Sequence, residues 1–155
     1  MQIKGEYEIE MLIQNMFNSY SLTIRNSNIV TNNGLNFILQ VLGGKTDETL
    51  GEVFVGKNSV EASVLDNTAS FTSPVEVPKT SVEVDDNKLT YIIHTKGDVL
   101  NETTEIGIWS SEENVLITRD VHDTYDMPSS AEIKIKYSLT LTNQEIIEEE
   151  ENSND

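Results

Sequence analysis

Residues 131–142, AEIKIKYSLTLT, decide how the chain folds. Ala131, Ile133, Ile135, Tyr137, Leu139 and Leu141 fall at every second position. Glu132, Lys134, Lys136, Ser138, Thr140 and Thr142 stand between them. Successive side chains of a strand point to opposite faces, so this spacing predicts a strand with one buried and one wet face. A helix would spread the same residues around its circumference. Each large apolar side chain gains roughly 1.5–3 kcal/mol on burial, so a slip of one residue would forfeit most of that face. The wet face predicts antiparallel neighbours, because a strand buried on both faces reads as continuously apolar.

Working upstream, residues 105–110 (EIGIWS) and 114–121 (NVLITRDV) predict a hairpin turning at 111–113. Gly107 inside it leaves room for a close backbone approach or a bulge. Trp109, the single tryptophan, faces opposite to Ile106 and Ile108. It reads equally as an interface anchor or as part of a second buried face. Residues 75–84 and 88–95 predict another hairpin, turning on Asp85-Asp86-Asn87, since Asp and Asn tolerate the required backbone angles. Gly97-Asp98 marks a turn. Residues 50–56 read as a strand, and 58–74 as a long polar loop of the kind used for binding or assembly.

One helix is expected over residues 31–44. Thr31 or Asn32 can cap its first N–H groups. Leu35, Ile38, Leu39 and Leu42 form an apolar stripe, and Gly43 or Gly44 can end it in a left-handed conformation. About three turns long, it needs packing onto a sheet. Residues 21–24 and 29–30 suggest a short hairpin around Asn26-Ser27-Asn28. Residues 5–13 alternate, with Tyr7, Ile9, Met11 and Ile13 on one side. They read either as an arm that adds to a partner's sheet or as a frayed or edge strand of the chain's own domain. The expected organisation is an N-terminal arm or strand at 1–20, a β-rich domain at 21–143 and an acidic, disordered tail at 144–155. The fold class is mainly β, an antiparallel β-sandwich-like domain with one short α-helix.

The chain's 155 residues fit one domain with a real core. Against 10 basic residues stand 27 acidic ones, a formal charge of -17. That balance argues against nucleic acid or an anionic membrane as partner, since both need basic patches. Cysteine is absent, which excludes disulfide staples and thiolate metal sites. No run has the length of a transmembrane helix, and no secretory signal is read at the start. Synthesis and assembly in the cytoplasm are expected.

Catalytic constellations are scarce. His94 sits in an expected strand and reads as structural or surface. His122-Asp123 with Asp126 matches no defined metal spacing, and Asp85-Asp86-Asn87 lacks the closing Glu of a calcium loop. Gly43-Gly44-Lys45-Thr46 follows a helix instead of opening one, so it is no phosphate loop. No catalytic, cofactor or metal residues are assigned. The candidate interface residues are Tyr7, Ile9, Met11 and Trp109.

Three segments in order resemble small structural proteins of tailed bacteriophage virions, of the tail-fibre, baseplate or head-and-neck appendage type. Ile29-Val30-Thr31-Asn32-Asn33-Gly34-Leu35 resembles the start of that family's only helix. Val53-Phe54-Val55-Gly56-Lys57-Asn58, with Leu65-Asp66-Asn67-Thr68, is similar to its strand, turn and loop, although Ala69-Ser70 stand where a Leu is expected. Thr104-Glu105-Ile106-Gly107-Ile108-Trp109 and Asn114-Val115-Leu116-Ile117-Thr118-Arg119 resemble its hairpin, with Trp where Phe is common. The likeness spans residues 29 to 142. It implies a non-enzymatic module, homo-oligomeric and bound to other virion structural proteins, located in the virion. A capsid decoration or head-fibre protein, or a receptor- or carbohydrate-binding module, are the alternatives. Glu105 and Arg119 fall on adjacent strands of this hairpin, where a screened surface pair would contribute roughly 0–1 kcal/mol.

Overall fold

The computed structural model describes residues 2–14 and 19–142. The strands are β1 (Gln2–Gln14), β2 (Ser19–Val30), β3 (Glu52–Gly56), β4 (Val75–Val77), β5 (Ser81–Asp85), β6 (Lys88–Lys96), β7 (Glu105–Ser110), β8 (Val115–Leu116), β9 (Thr118–Val121) and β10 (Glu132–Thr142). Among the described residues two α-helices join them, α1 (Asn32–Leu42) and the single turn α2 (Gly97–Leu100), with a 3-10 turn at Thr68–Ser70. The acidic tail expected at 144–155 lies outside the described residues.

The strands form one antiparallel sheet in the order β4-β3-β7-β9-β2-β1-β10-β6-β5, with β8 beside β7. The sheet curls on itself as a half-barrel, broadly sandwich-like, so that the expected mainly-β class holds. β10 is the strand its alternation predicts. Ile133, Ile135, Tyr137 and Leu139 are buried inside the curl, while Glu132 and Lys136 face water. Its neighbours continue the apolar rows across the sheet: Ile9, Ile135 and Ile93 stand side by side, as do Tyr7, Tyr137 and Tyr91. The Tyr7 and Tyr137 rings stack with centroids 5.7 Å apart.

Three expectations need correction. Residues 2–14 are a strand, as one reading has it, but a central strand of the chain's own sheet and not an arm or an edge. β1 pairs with β10 along residues 2–12 and with β2 along 5–14, leaving neither of its edges free. Its apolar side joins the central row of the core. The turn expected at Asn26-Ser27-Asn28 does not form either, and β2 runs straight through it. Tertiary pairing overrides local turn preference here: the Asn26 amide donates to Tyr7 Oη at 3.1 Å and the Asn28 amide to Tyr137 Oη at 2.5 Å. Residues 75–84 also do not make one strand. β4 pairs with β3 and β5 with β6, at opposite ends of the sheet. The break falls at Pro78, which has no N–H for a ladder. Lys79 then ties the crossing down through Glu52.

Asp86, at φ 50°, turns the β5–β6 hairpin, and Asn114, at φ 54°, ends the turn before β8. Gly107 meets the close approach its position implies. A Cβ there would lie 2.1 Å from the Thr118 carbonyl oxygen, so any larger residue would push β7 and β9 apart.

Candidate functional site

The loop between β3 and β4 is fixed by a buried ion cluster. Glu105 on β7 and Arg119 on β9 are both fully buried, with Nε 3.0 Å from Oε1. The other Glu105 oxygen accepts from the backbone N–H of Asn58 at 2.7 Å and of Thr72 at 2.9 Å. Arg119 Nη1 donates to the Val60 carbonyl at 3.0 Å and to Asp66 Oδ2 at 2.9 Å. Both ends of the loop and its middle are therefore gathered on two charges. The pair is not the screened surface contact its sequence position implies. It lies beneath the loop, where every bond is charge-assisted and water is excluded.

The same hairpin seats α1. Thr31 caps the helix as expected: its Oγ1 accepts from Gly34 N at 2.9 Å and donates to the Leu116 carbonyl at 2.5 Å. Gly34 is the contact point. A Cβ there would lie 2.5 Å from the Ile117 carbonyl oxygen, so the helix rests backbone on backbone. That contact sets the helix's rotation. Gly34, Phe37 and Ile38 turn inward and Val41 packs beside them. Of the stripe expected from the sequence, only Ile38 is buried. Leu35, Leu39 and Leu42 form a second stripe that faces water, the last two 57% and 62% exposed. The helix ends at Gly43, and Gly44 takes the left-handed angle at φ 67°. Beside the helix start, the Val64 carbonyl accepts from Asn32 N at 2.9 Å. This brings exposed Val64 and Leu65 to the same end of the molecule.

The outcome is an aliphatic surface on a fixed frame. Leucines at i, i+4 and i+7 of a helix make one stripe, and an exposed stripe of this kind marks an interaction site more often than a scattered surface leucine does. The candidate interface residues lie elsewhere. Tyr7, Ile9 and Met11 are 2%, 0% and 8% exposed, inside the core. Their strand is paired on both sides, so in this fold they are not open to a partner. Trp109 is half-buried between Phe54 and Phe71, with ring centroids 4.6 and 5.7 Å away. It packs the outer side of β7 as a second apolar cluster, the other of the two readings open for it. Periodicity groups these leucines but does not say that they face outward; the signal for that is Gly34, a small residue on the other side of the helix.

A second polar cluster sits where β9 meets β1 and β2. Tyr7 Oη donates to Asp120 Oδ2 at 2.6 Å, and Tyr137 Oη lies 2.5 Å from Thr118 Oγ1. Burial, and for Tyr7 the bond to Asp120, push both phenols far above their ordinary range. Next to them is an open cleft lined by Asn26, Ser27, Ser59, Asp120, His122 and Asp123. His122 stacks on Tyr125 at 4.1 Å, and its Nδ1 is 2.8 Å from the Asp123 carbonyl. Burial lowers the imidazole's pKa, against the pull of that bond and of nearby Asp120. Asp126 does not line the cleft, and His94 is exposed on β6. Among the described residues no group of three or more His, Asp or Glu comes together as a metal site. No helix among them is long and apolar enough to cross a membrane.

Comparison with family models, with curated proteins and with solved structures finds no match.

Proposed function

We propose that the protein is a non-catalytic structural module that acts by docking to other proteins. The resemblance over residues 29–142 suggests the setting, the virion of a tailed bacteriophage, in its tail, baseplate or neck. The observation that carries the docking reading is the outer stripe of α1, Leu35, Leu39 and Leu42, left in water on a helix whose seating is fixed. Aliphatic side chains so held gain free energy when another surface covers them, and little ordering entropy opposes it. The proposed partners are further copies of the chain and other virion structural proteins.

Size-exclusion chromatography with light scattering tests the homo-oligomeric part. The wild-type protein is expected to associate as its concentration rises, and Leu35→Ser with Leu39→Ser to stay monomeric with an unchanged circular dichroism spectrum. A strict monomer at high concentration removes self-association. Failure of the same double variant to weaken co-purification with the particle would then remove docking through this face.

A further inference from the structure

At one end of the sheet, β5 leaves a strand edge with no neighbour among the described residues. Its hairpin with β6 turns through two residues, Asp86 and Asn87, between the paired Asp85 and Lys88. In such a hairpin the closing pair exchanges both hydrogen bonds and alternate pairs exchange none. Val84, opposite Leu89, and Val82, opposite Tyr91, are therefore the pairs without bonds. Their N–H and C=O groups point away from β6, toward the open edge.

The side chains add to this. Directly paired residues share a face, so Val82 and Val84 lie on the core side of the sheet, in line with Tyr91 and Leu89. Yet they are 44% and 74% exposed. The core face continues past the cover given by Ile38 of α1, as an apolar groove that also takes in Leu139 and Leu141 and is flanked by the largely exposed Leu42. On the opposite face the same strand carries Glu83 and Asp85, both exposed, with Asp86 in the turn.

We propose that an extended segment of another protein completes this edge, with aliphatic side chains on the core face and basic ones on the wet face. The inference rests on the docking reading and names one partner for it. Main-chain bonds to Val82 and Val84 would supply affinity, and alternation would supply specificity. Charge decides between partners. In full register, β5 against its own copy would set Glu83 opposite Glu83 and would add to a charge of -17 on each chain. A basic segment turns the same contacts into attraction.

The probe is an end-capped nine-residue peptide alternating Val and Lys, titrated into the full-length protein at physiological salt. Two controls accompany it: the same residues in two blocks, and a peptide alternating Val and Glu. The alternating Val/Lys peptide is expected to bind with a dissociation constant below about 1 mM and to slow amide exchange at Val82 and Val84. Val84→Pro removes one outward N–H and leaves the β5–β6 bonds in place; it is expected to weaken binding about tenfold or more. Where Val84→Pro loses its β spectrum, Glu83→Lys with Asp85→Lys carries the test, since preference must pass to the Val/Glu peptide. No binding at about 1 mM, equal binding of the block peptide, undiminished binding by folded Val84→Pro or an unchanged charge preference would each overturn the inference. The α1 stripe would be untouched by that result, because Leu35→Ser with Leu39→Ser, neither of which lines the groove, reads it separately.

Discussion

Two arginines hold glutamates at the same distance in opposite surroundings. Arg25 Nε lies 3.0 Å from a Glu8 oxygen on the wet face of β1 and β2, and Arg119 Nε lies 3.0 Å from Glu105 beneath the β3–β4 loop. The first arginine's side chain is 76% exposed, the second 1%. Equal geometry does not mean equal energy. Around Arg25 water solvates either charge when the pair opens, so contact and separation differ little. Around Arg119 no water is at hand, and each charge depends on the other and on the loop's backbone. The surface pair decorates a sheet that would form without it, whereas the buried pair anchors the 58–72 loop to the sheet at both ends and at its middle.

The comparison breaks most sharply if one buried charge is left alone. Arg119→Met strands Glu105 with only the Asn58 and Thr72 N–H groups, and is expected to cost roughly 3–5 kcal/mol in urea denaturation. Amide exchange across residues 58–72 should rise at the same time, since Val60 and Asp66 lose their anchor. Replacing Glu105 by Leu as well should restore part of the loss, a non-additive pair. A loss below 1 kcal/mol for Arg119→Met would erase the distinction between the two arginines.

Burial should act in the same way on groups that are neutral at pH 7. Tyr91 lies in the core, and burial, with the Glu52 charge nearby, pushes its phenol up to about 12. Tyr125 is pushed up to about 12 too, mainly by burial. A raised phenol pKa means the unfolded chain loses its proton first. The stability it contributes is whole below pH 10, the ordinary value, and is lost as pH climbs through the folded value near 12. For Tyr91 the difference is on the order of 3 kcal/mol at the upper end. Denaturation midpoints should hold up to about pH 9 and fall steeply by about pH 11, and Tyr91→Phe should flatten part of that fall.

A single buried hydroxyl ranks next. Thr31 satisfies the Gly34 N–H and the Leu116 carbonyl at once. Thr31→Ala is expected to cost about 1–2 kcal/mol, read as a lower melting midpoint and faster exchange in the first turn of α1. Thr31→Ser keeps the oxygen and should recover most of it.

These ranks also explain what could be seen in the chain and what could not. Period-two spacing in 131–142 and the Thr31 cap are local, and both stand in the structure as read. The extended path through Asn26-Ser27-Asn28 was hidden, because the partners that satisfy those amides, Tyr7 and Tyr137, come from strands distant in sequence. Glu105 and Arg119 were legible as a pair but not as a buried one. Their burial depends on a loop that begins almost fifty residues earlier, and nothing in EIGIWS marks which side of the hairpin it covers. The helix stripe faces away from its expected side for a related reason: leucine marks the apolar side of a helix only when the partner is a side chain. Gly34 resting on the Ile117 backbone reverses that preference.

The smallest effect is the sharpest control. Arg25→Ala removes the exposed member of the comparison, together with its 3.0 Å bond to Glu8. It is expected to change stability by about 0–1 kcal/mol. What change there is should shrink further near 1 M salt, where screening acts within roughly 3 Å. Arg119→Met should keep nearly its full cost under the same salt, because ions do not reach a charge enclosed by the sheet and loop. If both variants responded to salt alike, the Glu105–Arg119 cluster would be in contact with solvent, and the loop it holds would owe its shape to something else.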